Sequence, residues 1–179
     1  MKPPLILDLC AGSGAWSEPY LAAGYLVRRV DLPWDVRLLE RDDEFLVRGI
    51  LAAPPCTVFA NSGARWPRTE AQMIDALSIV DACLRAVMIY QPAWWALENP
   101  MGKLSRYLGK PTMYFDPCDY GDPYTKRTGL WGVFNLPKVN PVAPVKKSPI
   151  HHMSPGPERA AKRSVTPRGF AQAFFEANP

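Results

Sequence analysis

Two residues stand out for their chemistry and for where they sit. Cys56 follows Pro54 and Pro55 at the end of a short apolar run, Ile50 to Ala53, within "GILAAPPCTVFAN". Neither proline carries an N–H, so the pair stops strand pairing and stiffens the backbone that leads to the sulfur. A thiol so placed is either a small packing residue in a turn or a nucleophile held at the edge of a sheet. Glu98 ends a second apolar run, "AWWALENP" (Ala93 to Pro100), and two more acids, Asp8 in "PLILDLC" and Asp31 in "YLVRRVDL", also stand near the ends of such runs. Between those two acids lies "DLCAGSG", in which Gly12 and Gly14 let the backbone turn tightly and approach a ligand ahead of a helix N-terminus. The turn lacks the GK[ST] of a phosphate loop. Asp31 occupies the place where an acid at the end of the second strand holds ribose hydroxyls. Asp35 follows closely enough to accept from an exocyclic amine.

The elements that must position these groups are legible from periodicity. Pro4–Cys10, Tyr25–Leu32, Leu46–Ala53, Ala93–Pro100 and Thr128–Pro137 read as strands. Ser17–Ala23 reads as a helix that Gly24 caps. Thr69 and Gln72 fit a capping box, and Met73, Leu77, Val80, Leu84 and Val87 then recur at helical spacing as far as Pro92. In the last segment Thr166 is the expected N-cap, Pro167 the first helical residue, and Phe170, Ala173 and Phe174 an apolar face. Alternating strands and helices predict an α/β fold, a mostly parallel sheet with helices on both faces. Ligands of such sheets bind outside the carboxyl ends of the strands. Asp8, Asp31, Cys56 and Glu98 are therefore expected on one rim.

The totals bound the rest. A chain of 179 residues with 47% hydrophobic and 21% charged residues suits one domain with a real core. The four cysteines form no CxxC pair, which speaks against a zinc or dithiol site. Cys10, Cys83 and Cys118 read as packing residues. The only histidines, His151 and His152, leave little for a His-based metal site or a Ser–His–Asp triad. No apolar run approaches a membrane span, and "MKPPLILDLC" does not read as a signal peptide, so a cytoplasmic chain with free thiols is expected. The net charge of +4 is mild, but from 135 to 168 Lys138, Lys146, Lys147, Arg159, Lys162, Arg163 and Arg168 face a single Glu158. That proline-rich tract either meets a polyanion or is a solvated loop. Trp16, Leu32 and Trp34 either wall an adenine or serve a small core.

Taken in order, "LDLCAGSGAW", "APPCTVFA", "ALENP", "DYGDPYTKRTGLW" and "RSVTPRGFAQAF" resemble the successive motifs of the DNA cytosine-5 methyltransferase family across nearly the whole chain. The short form looks most like phage-encoded members. The resemblance implies a Rossmann-like class I S-adenosylmethionine-dependent methyltransferase fold, with S-adenosylhomocysteine as the product. It implies Cys56 as the thiolate that adds to C6 of cytosine and Glu98 as the acid at N3, with Lys126 and Arg127 as the basic residues of the site. It places Asp8, Cys10, Gly12, Gly14, Trp16, Asp31, Leu32, Asp35 and Pro54 on the cofactor. It places Pro55, Asn99, Lys126 and Arg127 on the substrate, DNA with its cytosine flipped out or single-stranded. No metal and no membrane are implied.

The sequence departs from the family in three places. Cys10 stands where the family has phenylalanine. Lys126 and Arg127 are neighbours where the family separates two arginines by one residue. The family inserts a sizeable recognition domain before the last motif, whereas here a catalytic core (1–135) is followed by a short basic segment (136–163) and a closing helix (164–179). A basic loop supplies phosphate affinity with little base readout, so a short or relaxed context of about two to four bases is expected. A second copy or an accessory partner is the alternative source of sequence choice. The rival readings are C5 modification of a pyrimidine in RNA or a nucleotide, and a catalytically idle nucleic-acid-binding relative.

Overall fold

The computed structural model describes residues 3–61, 67–145 and 159–179. Its strands are β1 (Pro4–Leu9), β2 (Leu26–Val30), β3 (Leu46–Ala52), β4 (Trp94–Pro100), β5 (Met113–Phe115) and β6 (Thr128–Val133). They form one sheet in the order β2-β1-β3-β4-β6-β5. β1 to β4 pair in parallel, and β6 runs antiparallel to both of its neighbours. The chain moves outward from β1 to β2 and then returns to the other side of β1 for β3. Connections diverge at such a reversal and leave a crevice at the carboxyl ends of the strands.

The pleat sorts the side chains onto two faces. Leu5, Leu7 and Leu9 of β1 join one cluster with Ile50, Leu97 and α2 (Glu70–Tyr90), while Ile6 joins the other with α1 (Glu18–Ala22) and α5 (Arg168–Ala177). The predicted capping box starts α2: Thr69 Oγ1 accepts from the Gln72 N–H at 3.2 Å, and Gln72 Oε1 accepts from the Thr69 N–H at 3.0 Å. Gln91 ends the helix with a left-handed φ of 47°, and Pro92 follows. The buried face of α2 is finer than the apolar periodicity suggests. Ala76, Val80, Ala82, Cys83 and Ala86 are buried, while Met73, Leu77, Leu84 and Val87 pack around them, half-buried. Small residues along the centre let the helix backbone approach the sheet.

On the opposite face aromatic rings do the packing. Phe170 of α5 stacks on Phe115 of β5 with centroids 3.9 Å apart, and Phe174 meets Trp16 edge-on at 5.5 Å. The start of α5 corrects an expectation. Thr166 is not the cap; Pro167 holds the N-cap position and has no side chain able to cap. Asp122 does that work from another part of the chain, its Oδ2 accepting from the Gly169 N–H at 2.9 Å.

Some elements lie outside the predicted pattern. β6 ends at Val133 and not at Pro137, because Val133 already pairs with Trp95 near the start of β4 and the partner strand runs out. β5, the 3-10 turns Val36–Leu38 and Pro117–Tyr120, α3 (Ser105–Leu108) and α4 (Arg159–Ser164) were not expected. Part of the basic proline-rich tract is tied to the core. The N–H groups of Asn140, Val142 and Val145 donate to the carbonyls of Asp119, Cys118 and Pro123 at 2.8 to 2.9 Å. Lys146, Lys147, Glu158 and both histidines of the tract lie outside the described residues.

Candidate active site

Because β1 to β4 are parallel, their carboxyl ends share one edge of the sheet, and Asp8, Asp31, Cys56 and Glu98 stand at or just past those ends. Cys56 sits on a loop that is stitched to the neighbouring strand. Asn99, fully buried on β4, donates its Nδ2 to the Pro54 carbonyl at 3.0 Å. Its buried Oδ1 has no donor, consistent with two prolines on the loop that have no N–H to offer. The Cys56 carbonyl accepts from the N–H groups of Phe59 and Ala60 at 3.0 and 2.8 Å, closing a turn behind the sulfur. That turn meets the segment after β4, where the Lys103 N–H donates to the Phe59 carbonyl at 2.7 Å. The approach requires Gly102, since a Cβ there would stand 2.0 Å from the Phe59 oxygen. The nucleophile loop and the Glu98 strand therefore form one unit.

Lys126 bears on both members of that unit. Glu98 and Lys126 are each 13% exposed, with Lys126 Nζ 3.9 Å from Glu98 Oε1. Burial pushes the Glu98 carboxyl above the usual range, and Lys126 opposes the rise. Burial and then the charge of Glu98 push the Cys56 thiol up, while Lys126 and Arg163 pull it down. A proton on Glu98 removes a neighbouring negative charge that disfavours the thiolate.

The two basic neighbours separate. Lys126 enters the site, its backbone N–H anchored on Asp116 Oδ1 at 2.9 Å. Arg127 turns away, pairing with Asp116 Oδ2 at 3.3 Å and lying 5.3 Å from the centre of the Tyr114 ring, with its side chain 46% exposed. Only Lys126 of the pair reaches Glu98. Arg163, on α4, is the cation that the motif reading missed. Its signal was the one-sided charge of the tract before the last helix.

Beside this unit lies the turn after β1. Cys10, Gly12 and Gly14 all take left-handed φ angles, of 55°, 53° and 70°. The N–H groups of Cys10 and Ala11 both reach the Val30 carbonyl, at 2.7 and 3.3 Å, tying the turn to β2. Cys10 packs against the cluster under α2, its thiol beside that of Cys83. Asp8 is 1% exposed, and one of its oxygens has no partner. Burial pushes its carboxyl up to about 6, against the pull of Ser17 and Arg29. Asp31 is half-buried at the rim and close enough to add to that rise.

Leu32 and Trp34 are 86% and 75% exposed and offer open apolar surface beside Asp31. Trp16 does not join them. It is buried between Phe170 and Phe174, a core residue and not the wall of an open pocket. Asp35 is engaged locally: its carboxylate accepts from the Arg37 guanidinium at 2.7 Å and from the Arg37 N–H at 2.9 Å, which holds its pKa below the usual range. Arg37 in turn binds Asp75 of α2 at 2.7 Å. A left-handed glycine turn with open space at Gly12, a rim carboxylate and exposed apolar side chains leave room for a cofactor with both polar and apolar parts.

No protein-family model matches the chain, and no curated protein matches it. Solved structures do. One is an E. coli protein described as a candidate DNA modification methyltransferase encoded within a prophage, with a TM-score of 0.52 and 19% identity over 78% of this chain and 52% of that one. Another is the Entamoeba histolytica methyltransferase EhMeth, with a TM-score of 0.45 and 12% identity over 87% of this chain and 61% of that one. The chain thus spans about half the length of the E. coli protein. At such identity the likeness is one of fold: the chain has the Rossmann-like α/β fold, with its mostly parallel six-stranded sheet, that the E. coli protein also carries.

Proposed function

We propose that the chain transfers a methyl group from S-adenosylmethionine to C5 of cytosine in DNA, with Cys56 as nucleophile and Glu98 as the acid at N3. The observation that carries this reading is the linked pair itself. Cys56 follows β3 and Glu98 lies on the adjacent parallel strand β4, the Glu98 charge acts on the Cys56 thiol, and the Asn99–Pro54 hydrogen bond ties the Cys56 loop to the Glu98 strand. The likeness in fold to a candidate DNA modification methyltransferase supports methyl transfer as the reaction class.

C5 of cytosine is too weak a nucleophile to take a methyl group unaided. The Cys56 thiolate forms a bond to C6, the displaced electrons move through the ring to N3, and Glu98 supplies the proton that neutralises them. C5 is then an enamine carbon. S-adenosylmethionine, when bound, supplies the electrophilic methyl group; Gly12 and Gly14 of the turn, Asp31 at the rim and the exposed Leu32 would hold it. Loss of the C5 proton to a base then restores the ring double bond and expels the Cys56 thiolate, while Glu98 recovers its proton. Cations at the rim, Lys126 and Arg163, favour the thiolate and suit a phosphate-bearing substrate. A cytosine stacked in a duplex is out of reach, so the target is flipped out or single-stranded. With only a short basic segment before the last helix, the methylated context is short, about two to four bases.

The test is a trap. The chain is incubated with S-adenosylmethionine and DNA carrying 5-fluorocytosine, whose C5 has no proton to lose. A methylated covalent adduct forms with the wild type and is absent in Cys56→Ala. Donor binding without an adduct on single- or double-stranded DNA moves the substrate to RNA or a nucleotide. A chain that binds no donor overturns the reading.

A further inference from the structure

The turn between β1 and α1 is gripped by a residue that no motif singles out. Arg29 lies on β2 directly opposite Asp8 of β1. Its guanidinium spans the turn: Nε donates to Ser17 Oγ at 3.0 Å, and Nη2 donates to the Gly14 carbonyl and to Glu18 Oε2, both at 2.9 Å. Ser17, fully buried, donates to the same Gly14 carbonyl at 3.3 Å. A planar guanidinium can serve several acceptors at once in fixed directions, which a single ammonium cannot.

Gly14 is adapted to this grip. Its φ is +70°, and a Cβ added there would stand 2.4 Å from Arg29 Cζ. The guanidinium fills the space that any side chain at position 14 would need. Pinning the Gly14 carbonyl also orients the next peptide group, because the N–H of a trans peptide points opposite to its carbonyl. The Ala15 N–H is therefore directed away from Arg29, and its contact with Ser13 Oγ is a long 3.4 Å. It is a backbone donor well suited to an anionic group.

We propose that Arg29 is a positioning residue for the methyl donor. It holds the glycine turn in its binding shape, and the Gly14–Ala15 peptide in its orientation, without touching the donor. The proposal rests on the reading that this turn binds S-adenosylmethionine. Glu18, with its side chain 62% exposed, is the least confined member of the grip.

The experiment measures S-adenosylmethionine binding to the full chain by calorimetry, with kcat and KM for the donor on cytosine-containing DNA and a thermal unfolding scan. Arg29→Met is expected to fold, to bind the donor about tenfold more weakly, and to raise KM in proportion while kcat at saturating donor changes less than about twofold. A Kd equal to that of the wild type overturns the proposal, as does a loss confined to kcat. If Arg29→Met does not fold, Arg29→Lys decides. One ammonium cannot bridge Gly14, Ser17 and Glu18 together, so donor affinity falls severalfold; unchanged affinity overturns the proposal. A wild-type chain that binds no S-adenosylmethionine overturns the methyl-donor reading and this proposal with it. Wild-type binding matched by the variants overturns this proposal alone.

Discussion

A thiol beside a carboxylate is a poor thiolate until the carboxylate is neutral, and Cys56 sits beside Glu98. Both pKa values are raised, first by burial, and Lys126 opposes both rises. Glu98→Gln removes the neighbouring negative charge, so the Cys56 thiol titrates at lower pH than in the wild type. Lys126→Met removes the compensating cation, so it titrates at higher pH. The pH dependence of iodoacetamide alkylation at Cys56, followed by peptide mass spectrometry, reads both directions. An unchanged profile in Glu98→Gln would mean that the two groups do not communicate.

Asp8 makes a separate prediction at this scale. Its carboxyl is raised from 3.8 to about 6, so the folded chain holds that proton more tightly than the unfolded chain does. Stability attributable to Asp8 is highest below about pH 4, falls as the pH rises to about 6, and stays low above it, by at most about 3 kcal/mol. Asp8→Asn removes this loss and unfolds at a higher temperature than the wild type at pH 7.5, with little difference at pH 4. Equal melting temperatures at both pH values would show that the buried carboxylate costs nothing.

At the scale of elements, α5 depends on a distant part of the chain for its cap. Its first turn has no local side-chain cap, and the Gly169 N–H relies on Asp122. Asp122→Ala leaves that donor unpaired and costs about 1 kcal/mol in urea unfolding, the usual scale for a lost cap. The helix is also confined sterically, since a Cβ at Gly169 would stand 1.8 Å from the Tyr120 carbonyl. The β3–β4 pair illustrates the same dependence. The dipeptide Pro54-Pro55 stiffens the approach to Cys56, but its placement comes from Asn99 on the next strand.

For the whole molecule, the aromatic face is what closes the fold. Phe170 is fully buried against Phe115, Tyr120 and Trp16, joining the last helix to β5 and to the segment that follows the glycine turn. Phe170→Ala should cost about 3 to 5 kcal/mol in chemical denaturation, the scale of a large ring removed from a packed core. A loss below 1 kcal/mol would place α5 outside the cooperative core. The other face, under α2, is mostly aliphatic and small residues with Phe59 and Trp131 among them, and includes no residue of the C-terminal helix.

The chain's local chemistry is written in its sequence. Periodicity marks five of the strands, the Thr69 box begins the long helix, and the prolines and glycines punctuate the two turns at the rim, because each of these depends on near neighbours in the chain. The gathering of Asp8, Asp31, Cys56 and Glu98 on one edge was also legible, since parallel strands must place their carboxyl ends together. Pairings between segments far apart in sequence were not. The sequence reads Lys126 and Arg127 as equals, and only the fold sends one to Glu98 and the other to Asp116. By sequence Trp16 is either a wall or a core residue and Asp35 an acceptor; the fold buries the first against α5 and sets Arg37 on the second. Arg29 reads as one basic residue in a strand. Its grip on Gly14 exists because strand pairing sets β2 beside β1, a neighbour relation that residue type and spacing do not carry.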